Sequence, residues 1–190
     1  MNQLLEPLRT WLFLRKMGIE AGTRIVLEGR KKIYIGPGTT LGDEVKIRSR
    51  SDEARISIGA HTRCRGHVHI NAKGDPVTIG PHCFLADGVW IGGYGSVTIG
   101  ANTIIGIRSI IISSDHDYMN LGIPYYDIAE IRKPIVIGDN VWIGCNSVIL
   151  AGSTIGSGSV IGAGSIIRGD IPHGSLVVGR AAEVLRHIER

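Results

Sequence analysis

One period dominates this 190-residue chain: between residues 99 and 172 an aliphatic residue followed by Gly or another small residue returns every six positions. Ile137, Ile143, Ile149, Ile155 and Ile161 head five consecutive units, of which Ile137-Gly-Asp-Asn-Val-Trp142 is the first. A unit this short cannot bury an apolar face alone, so the units must stack on one another. That excludes a core assembled from a few long elements. Composition agrees, because 27 glycines with only 5% aromatics suit tight turns around an Ile and Val interior.

The units group in threes. Ile35, Ile58, Ile79, Ile99, Ile137 and Ile155 are each followed by Gly. Six residues later stand Leu41, Cys64, Leu85, Ile105, Ile143 and Ile161, and six later again Ile47, Ile70, Ile91, Ile111, Ile149 and Ile167. Six coils of eighteen residues result, with starts spaced 23, 21, 20, 38 and 18 apart. Every surplus follows the third side, which predicts a triangular prism whose excursions all leave from one corner.

Backbone groups would pair between coils about 4.8 Å apart. The position four after each aliphatic residue is also expected to face inward. Thr39, Val45, Thr62, Val68, Cys83, Val89, Thr103, Ser109, Val141, Ser147, Ser153, Ser159 and Ser165 occupy it, all small or β-branched. The Gly directly after the aliphatic residue is expected at a corner with positive φ, which costs little only without a Cβ.

Three segments follow. Residues 1–34 read as a helical cap with a lead-in strand, 35–178 as the repeat domain with a loop excursion at 112–134, and 179–190 as a short helix. In the cap, Leu4, Leu5, Leu8, Trp11 and Leu12 share a helical face, and Pro7 marks the helix start. Trp11, Phe13, Leu14, Arg15 and Lys16 give this helix a second reading, as a weak membrane contact.

Three cysteines without framework spacing predict reduced thiols and a cytoplasmic protein, at most at the inner face of the membrane. Glu6, Pro7 and Arg9 interrupt any cleavable leader. A formal charge of +4, with scattered basic residues, gives no sign of nucleic-acid binding.

Triplets of [Ile/Leu/Val]-Gly-x4 resemble the left-handed parallel β-helix of hexapeptide-repeat acyltransferases, over roughly residues 35–185. The left hand is what the resemblance implies; the usual crossover rule would give the opposite. The resemblance further implies a homotrimer with sites between subunits and acetyl-CoA as co-substrate.

Within that family the chain is similar to the sugar and polysaccharide O-acetyltransferases, such as maltose, galactoside and capsular enzymes. These place a general-base His in a loop ahead of a segment like residues 137–144. His116 fits, in Ser113-Ser-Asp-His-Asp-Tyr118 at the root of the longest excursion. An imidazole near neutrality is matched to deprotonating a hydroxyl as it attacks a thioester. Asp115, Asp117 and Tyr118 are candidates to orient the ring or hold the acceptor, though a backbone carbonyl could equally orient it.

By the same resemblance Trp142 would line the acetyl-CoA channel, and an N–H near Gly144 or Cys145 would meet the thioester oxyanion. The pantetheine arm would pass Ala163 and Gly164, with Arg168 and Arg180 candidates for the phosphates. Two departures stand out. Galactoside-type relatives carry an acceptor-binding Asn where this chain has Ala86-Asp87-Gly88, leaving Asp87 for a sugar hydroxyl. Where relatives have Gly-x-Pro-Ala-Lys, this chain has Gly179-Arg-Ala-Ala-Glu183.

Two other readings compete. N-acetylation of an amino sugar would use the same machinery. A carbonic-anhydrase class shares the fold with a three-histidine metal site, and His61, His67, His69 and His82 cluster on the early coils. The His-x4-His spacing of that class does not occur here, and Asn102 and Asn140 later fill the register of His61 and His82. A polar corner ladder with no metal is therefore expected.

Overall fold

The computed structural model describes residues 6–117, 119 and 122–179. The chain folds as a left-handed parallel β-helix of about seven turns, a triangular prism with one helix at its N-terminal end. Face one carries eight strands, from Glu20–Ala21 through Trp142–Ile143 to Leu176–Val177. Face two carries seven, from Val26–Glu28 through Trp90–Gly93 to Ile166–Ile167, and face three seven, from Ile33–Ile35 to Asp170–Ile171. The sequence triplets meet in register: Ile58 lies beside Ile79, Leu85 beside Ile105, and Ile70 beside Ile91.

Ahead of Ile35, Glu20–Ala21 and Val26–Glu28 already pair with Thr40–Leu41 and Lys46–Arg48, adding a coil. Ala21 and Leu27 keep the six-residue period, in the rows of Leu41 and Ile47, and Ile35 follows after a surplus of two at the corner of excursions. Only the short side chain of Ala21 hides it.

The aliphatic rows and the residues four beyond them form one buried column. Its hydroxyls do more than fit a narrow interior. Thr103 Oγ1 donates to the Gly138 carbonyl (3.1 Å) and accepts the Val141 N–H (3.2 Å), bridging adjacent coils. Ser109 repeats the arrangement with Gly144 and Ser147, and Thr62 with Gly80 and Cys83. Thr103→Val keeps the shape but strands both backbone groups in the interior. A loss of about 1–3 kcal/mol is expected, read as a lowered urea midpoint; an unchanged midpoint would show that the bridges contribute nothing.

The glycine expectation needs correction. Gly36, Gly59, Gly80 and their equivalents do not have positive φ. They are required because the next coil lies against them: a Cβ on Gly36 would stand 2.5 Å from the Ala60 nitrogen. Positive φ falls two residues later, at His61, His82, Asn102 and Asn140 as well as Gly158 and Gly164.

The helix α1 spans Glu6–Lys16 and ends at Gly18, whose φ of 66° closes the last turn. Its packed face is also not the expected one. Thr10 and Leu14 are buried and Phe13 and Met17 half-buried, whereas Trp11 and Leu12 face outward. The turn at Gly18 folds the chain back through Ile19, so the face that meets the first coil is the one carrying Leu14. Leu4, Leu5 and the C-terminal helix expected over 179–190 (beyond residue 179) lie outside the described residues.

All excursions leave between faces two and three. The longest is an antiparallel arm, Ser114–His116 against Glu130–Arg132. Buried Ser113 anchors its root, donating to the carbonyls of Gly92 (3.0 Å) and Gly95 (2.6 Å).

Candidate active site

His116 ends the outgoing strand of the arm, directly opposite Glu130. Its Nδ1 lies 3.2 Å from the Ile128 carbonyl oxygen. A carbonyl only accepts, so Nδ1 carries a proton, which in the neutral tautomer leaves the lone pair on Nε2. Ile128 is itself buried, which makes its carbonyl a fixed partner.

Neither neighbouring carboxylate orients the ring. Successive residues of a strand leave it on opposite sides, and Asp115 instead accepts from Arg168 Nη2 (3.1 Å) and from the His116 N–H (2.9 Å). Asp117 accepts the Met119 N–H at 3.2 Å.

A cavity of about 210 Å³ opens beside the ring, lined by Lys73, Trp90, Tyr94, Ser114, Asp115, His116 and Glu130 among others. Lys73, Trp90, Tyr94 and Glu130 were not candidates from sequence. Lys73 and Tyr94 each directly follow a face-two strand, at the corner that all excursions share. That shared corner was the available signal. Lys73 Nζ donates to the Tyr94 hydroxyl at 3.0 Å and lies over its ring. The Trp90 indole lies flat on the sheet, so that a Cβ at Gly92 would fall inside it.

The remaining candidates lie elsewhere. No residue lining the cavity belongs to face one, where Trp142 points outward and is 56% exposed. Cys145 and Ala163 follow one another at the corner between faces one and two. The N–H groups of Ile107, Cys145 and Ala163 donate to no acceptor among the described residues, whereas that of Gly144 is held by the Ile161 carbonyl (2.7 Å).

Asp87 has a structural partner. Its Oδ1 accepts the Gly66 N–H of the preceding coil at 3.0 Å, as Asp43 does from Thr23 and Asp139 from Ala101. The two Thr23 donors hold the Asp43 carboxyl below the usual carboxylate range. Where the equivalent residue is not acidic, as at Cys145 and Ala163, the N–H of the coil before is left open. Tyr118 and Arg180 lie outside the described residues.

His61 and His82 stack at 5.1 Å on the corner ladder. Among the described residues no group of three His, Cys, Asp or Glu is placed to hold a metal ion. Burial pushes the Cys64 thiol up to about 12, from an ordinary value of 9.0. Folding therefore favours the protonated thiol, and that contribution is complete below 9.0 and lost as pH rises towards about 12. Cys64 should resist iodoacetamide at pH 8 until the protein is unfolded in urea. Rapid labelling of the native protein at Cys64, read by peptide mass, would contradict its burial.

Together these features define a left-handed β-helix protein that carries a histidine-bearing arm at one corner. A family model described as bacterial transferase hexapeptide (six repeats) matches residues 134–169. Nodulation protein L of Rhizobium meliloti (strain 1021) is 35% identical over 153 residues, 77% of this chain and 79% of that protein. The chain belongs to the hexapeptide-repeat acyltransferase family.

A probable acetyltransferase of Mycobacterium tuberculosis is 29% identical over 94% of this chain, which spans only 56% of that relative. It spans 35% of a bifunctional protein GlmU of Listeria monocytogenes. Among solved structures, the polySia-specific acetyltransferase NeuO matches with a TM-score of 0.59 and 26% identity, over 88% of this chain and 75% of that one. AntD, an N-acyltransferase of Bacillus cereus solved with dTDP and coenzyme A, matches with a TM-score of 0.52 and 21% identity, covering 94% and 89%. At that identity it speaks for the fold alone.

Proposed function

We propose that this chain is an acetyl-CoA-dependent O-acetyltransferase acting on a hydroxyl of a sugar or glycan precursor, with His116 as general base. The observation that carries the proposal is the bond from Nδ1 to the Ile128 carbonyl, which sets the tautomer a base needs beside a cavity. The similarity to NeuO supports the reaction class.

Acetyl-CoA, when bound, supplies the activated acetyl group. The unpaired N–H row at Ile107, Cys145 and Ala163, beside exposed Ala163 and Gly164, fits the amides of its pantetheine arm. The Cys145 N–H would stabilise charge developing on the thioester oxygen. His116 Nε2 takes the acceptor proton as the C–O bond forms and the C–S bond breaks, and returns it to the departing sulfur. The Arg168–Asp115 pair is largely exposed and worth little, which leaves Arg168 available to a phosphate. Arg180 is the second candidate for that role.

Within one chain His116 on the arm and Trp142 on face one lie apart, which supports a site completed in a homotrimer. Exposed Ile104, Ile110, Ile166 and Leu176 on faces one and two offer the apolar contact. Trp142→Ala should weaken CoA binding about tenfold, and unchanged affinity by calorimetry would remove Trp142 from the channel.

Among the described residues no helix is long and apolar enough to cross a membrane. Exposed Trp11 and Leu12 beside Arg15 support a weak contact with the inner membrane face.

The test is thiol release from acetyl-CoA across sugars, amino sugars and oligosaccharides, beside a light-scattering mass. Acceptor-dependent release with a hydroxyl acceptor is expected. Release only with amines would mean N-transfer, and neither binding nor release would refute the proposal.

A further inference from the structure

Resting on that reading, we infer that Glu130 selects the acceptor: it binds a hydroxyl vicinal to the one His116 deprotonates, so the substrate presents a vicinal diol.

Glu130 Oε2 is buried without a hydrogen-bond partner, and the carboxylate makes no ion pair among the described residues. A carboxylate held in this way costs stability, since a buried acceptor left unmade forfeits its hydration. Nearby cations are otherwise engaged. Lys73 bonds and overlies Tyr94, and Arg132 stacks on the same ring. A second buried oxygen without a partner, Asn71 Oδ1, lies on the strand in register with Gly92 of the cavity wall. The cavity wall thus carries an unmet acceptor at Glu130, with a second behind it at Asn71, and asks for a ligand that donates.

Geometry narrows the class further. Directly opposed residues of an antiparallel pair have Cβ atoms about 4.5–5.5 Å apart on the same side of the ribbon. His116 and Glu130 are such a pair. One hydroxyl at Nε2 and its neighbour at the carboxylate is the spacing a vicinal diol offers. The soft terminal torsion of Glu lets either oxygen turn to the ligand. Trp90, half-buried and flat, provides an apolar wall for one ring face. A cavity of about 210 Å³ is smaller than the 300–1,000 Å³ of drug-sized sites and takes a single sugar ring.

The experiment uses methyl α-D-glucopyranoside, methyl α-D-galactopyranoside and their monodeoxy analogues with the full chain. Wild type should prefer the better parent glycoside over the analogue lacking the hydroxyl next to the acetylated one by about a hundredfold or more in kcat/KM. Glu130→Gln and Glu130→Ala should raise the parent's KM about tenfold or more, abolish that preference, leave the acetyl-CoA KM unchanged and not lower the Tm. Retained preference, an altered acetyl-CoA KM or a lowered Tm would overturn the inference.

If wild type transfers nothing, the enzymatic reading fails, and glycoside binding by saturation-transfer NMR decides about Glu130. Binding weakened in both variants supports it. Binding equal in all three proteins, or absent from wild type, overturns it.

Discussion

His116→Ala is expected to lower turnover by about 10²–10⁴-fold while leaving thermal stability and CoA affinity unchanged. The side chain is exposed and makes one hydrogen bond, to the Ile128 carbonyl. The arm is held by main-chain pairing of Ser114–His116 with Glu130–Arg132 and by Ser113 at its root, none of which uses the imidazole. A loss of activity therefore reports on chemistry. Single-turnover measurements with saturating acetyl-CoA would separate the chemical step from binding. Retained activity would place the base elsewhere, and a collapse of stability would show the ring to be structural.

The largest expected effect on folding comes from a methyl group on the ladder. Gly36→Ala would put its Cβ 2.5 Å from the Ala60 nitrogen and 2.8 Å from its Cα, both main-chain atoms of the next coil. No rotamer relieves a backbone contact, so neighbouring coils must part and the flanking pair Ile35 with Ile58 weakens. A cost of about 3 kcal/mol or more is expected, lowering Tm by about 6 °C or more at this chain length.

Gly158→Ala is the control. Its φ is 71° with open space around the added methyl, so only conformational strain of about 1–2 kcal/mol is expected. Equal costs at the two positions would mean that close approach is not why glycine follows the aliphatic residue.

That pair of glycines also shows what the sequence can reveal. The period, the three faces and the single corner of excursion were all legible, because each follows from which residues must be inside. The glycine after each isoleucine was equally visible, but its reason was not. A missing Cβ serves positive φ and close packing alike, and only coordinates separate them.

The active-site arm divides in the same way. His116 was legible as a titratable group on the longest excursion. Its partner at Ile128 was not, since a carbonyl carries no side-chain signature. Glu130 was hidden because the arm's pairing crosses a long loop with no tight-turn signal. Asp87 looked like a spare acidic group until Asp43 was seen bracing the same corner, and Asp139 the corner between faces three and one, in the same way.

The gathering of every excursion at one corner has a consequence for how such a chain can change. The other two corners are pinned by direct contact between coils, and any added residue there would shift two faces out of register. The corner carrying Lys73, Tyr94 and the arm is already released from that constraint. Its segments can be lengthened, shortened or exchanged as cassettes while the ladder below stays in step. New acceptor preferences can thus arise by swapping ornament on an unaltered column, without refolding the part that would hold the acyl donor.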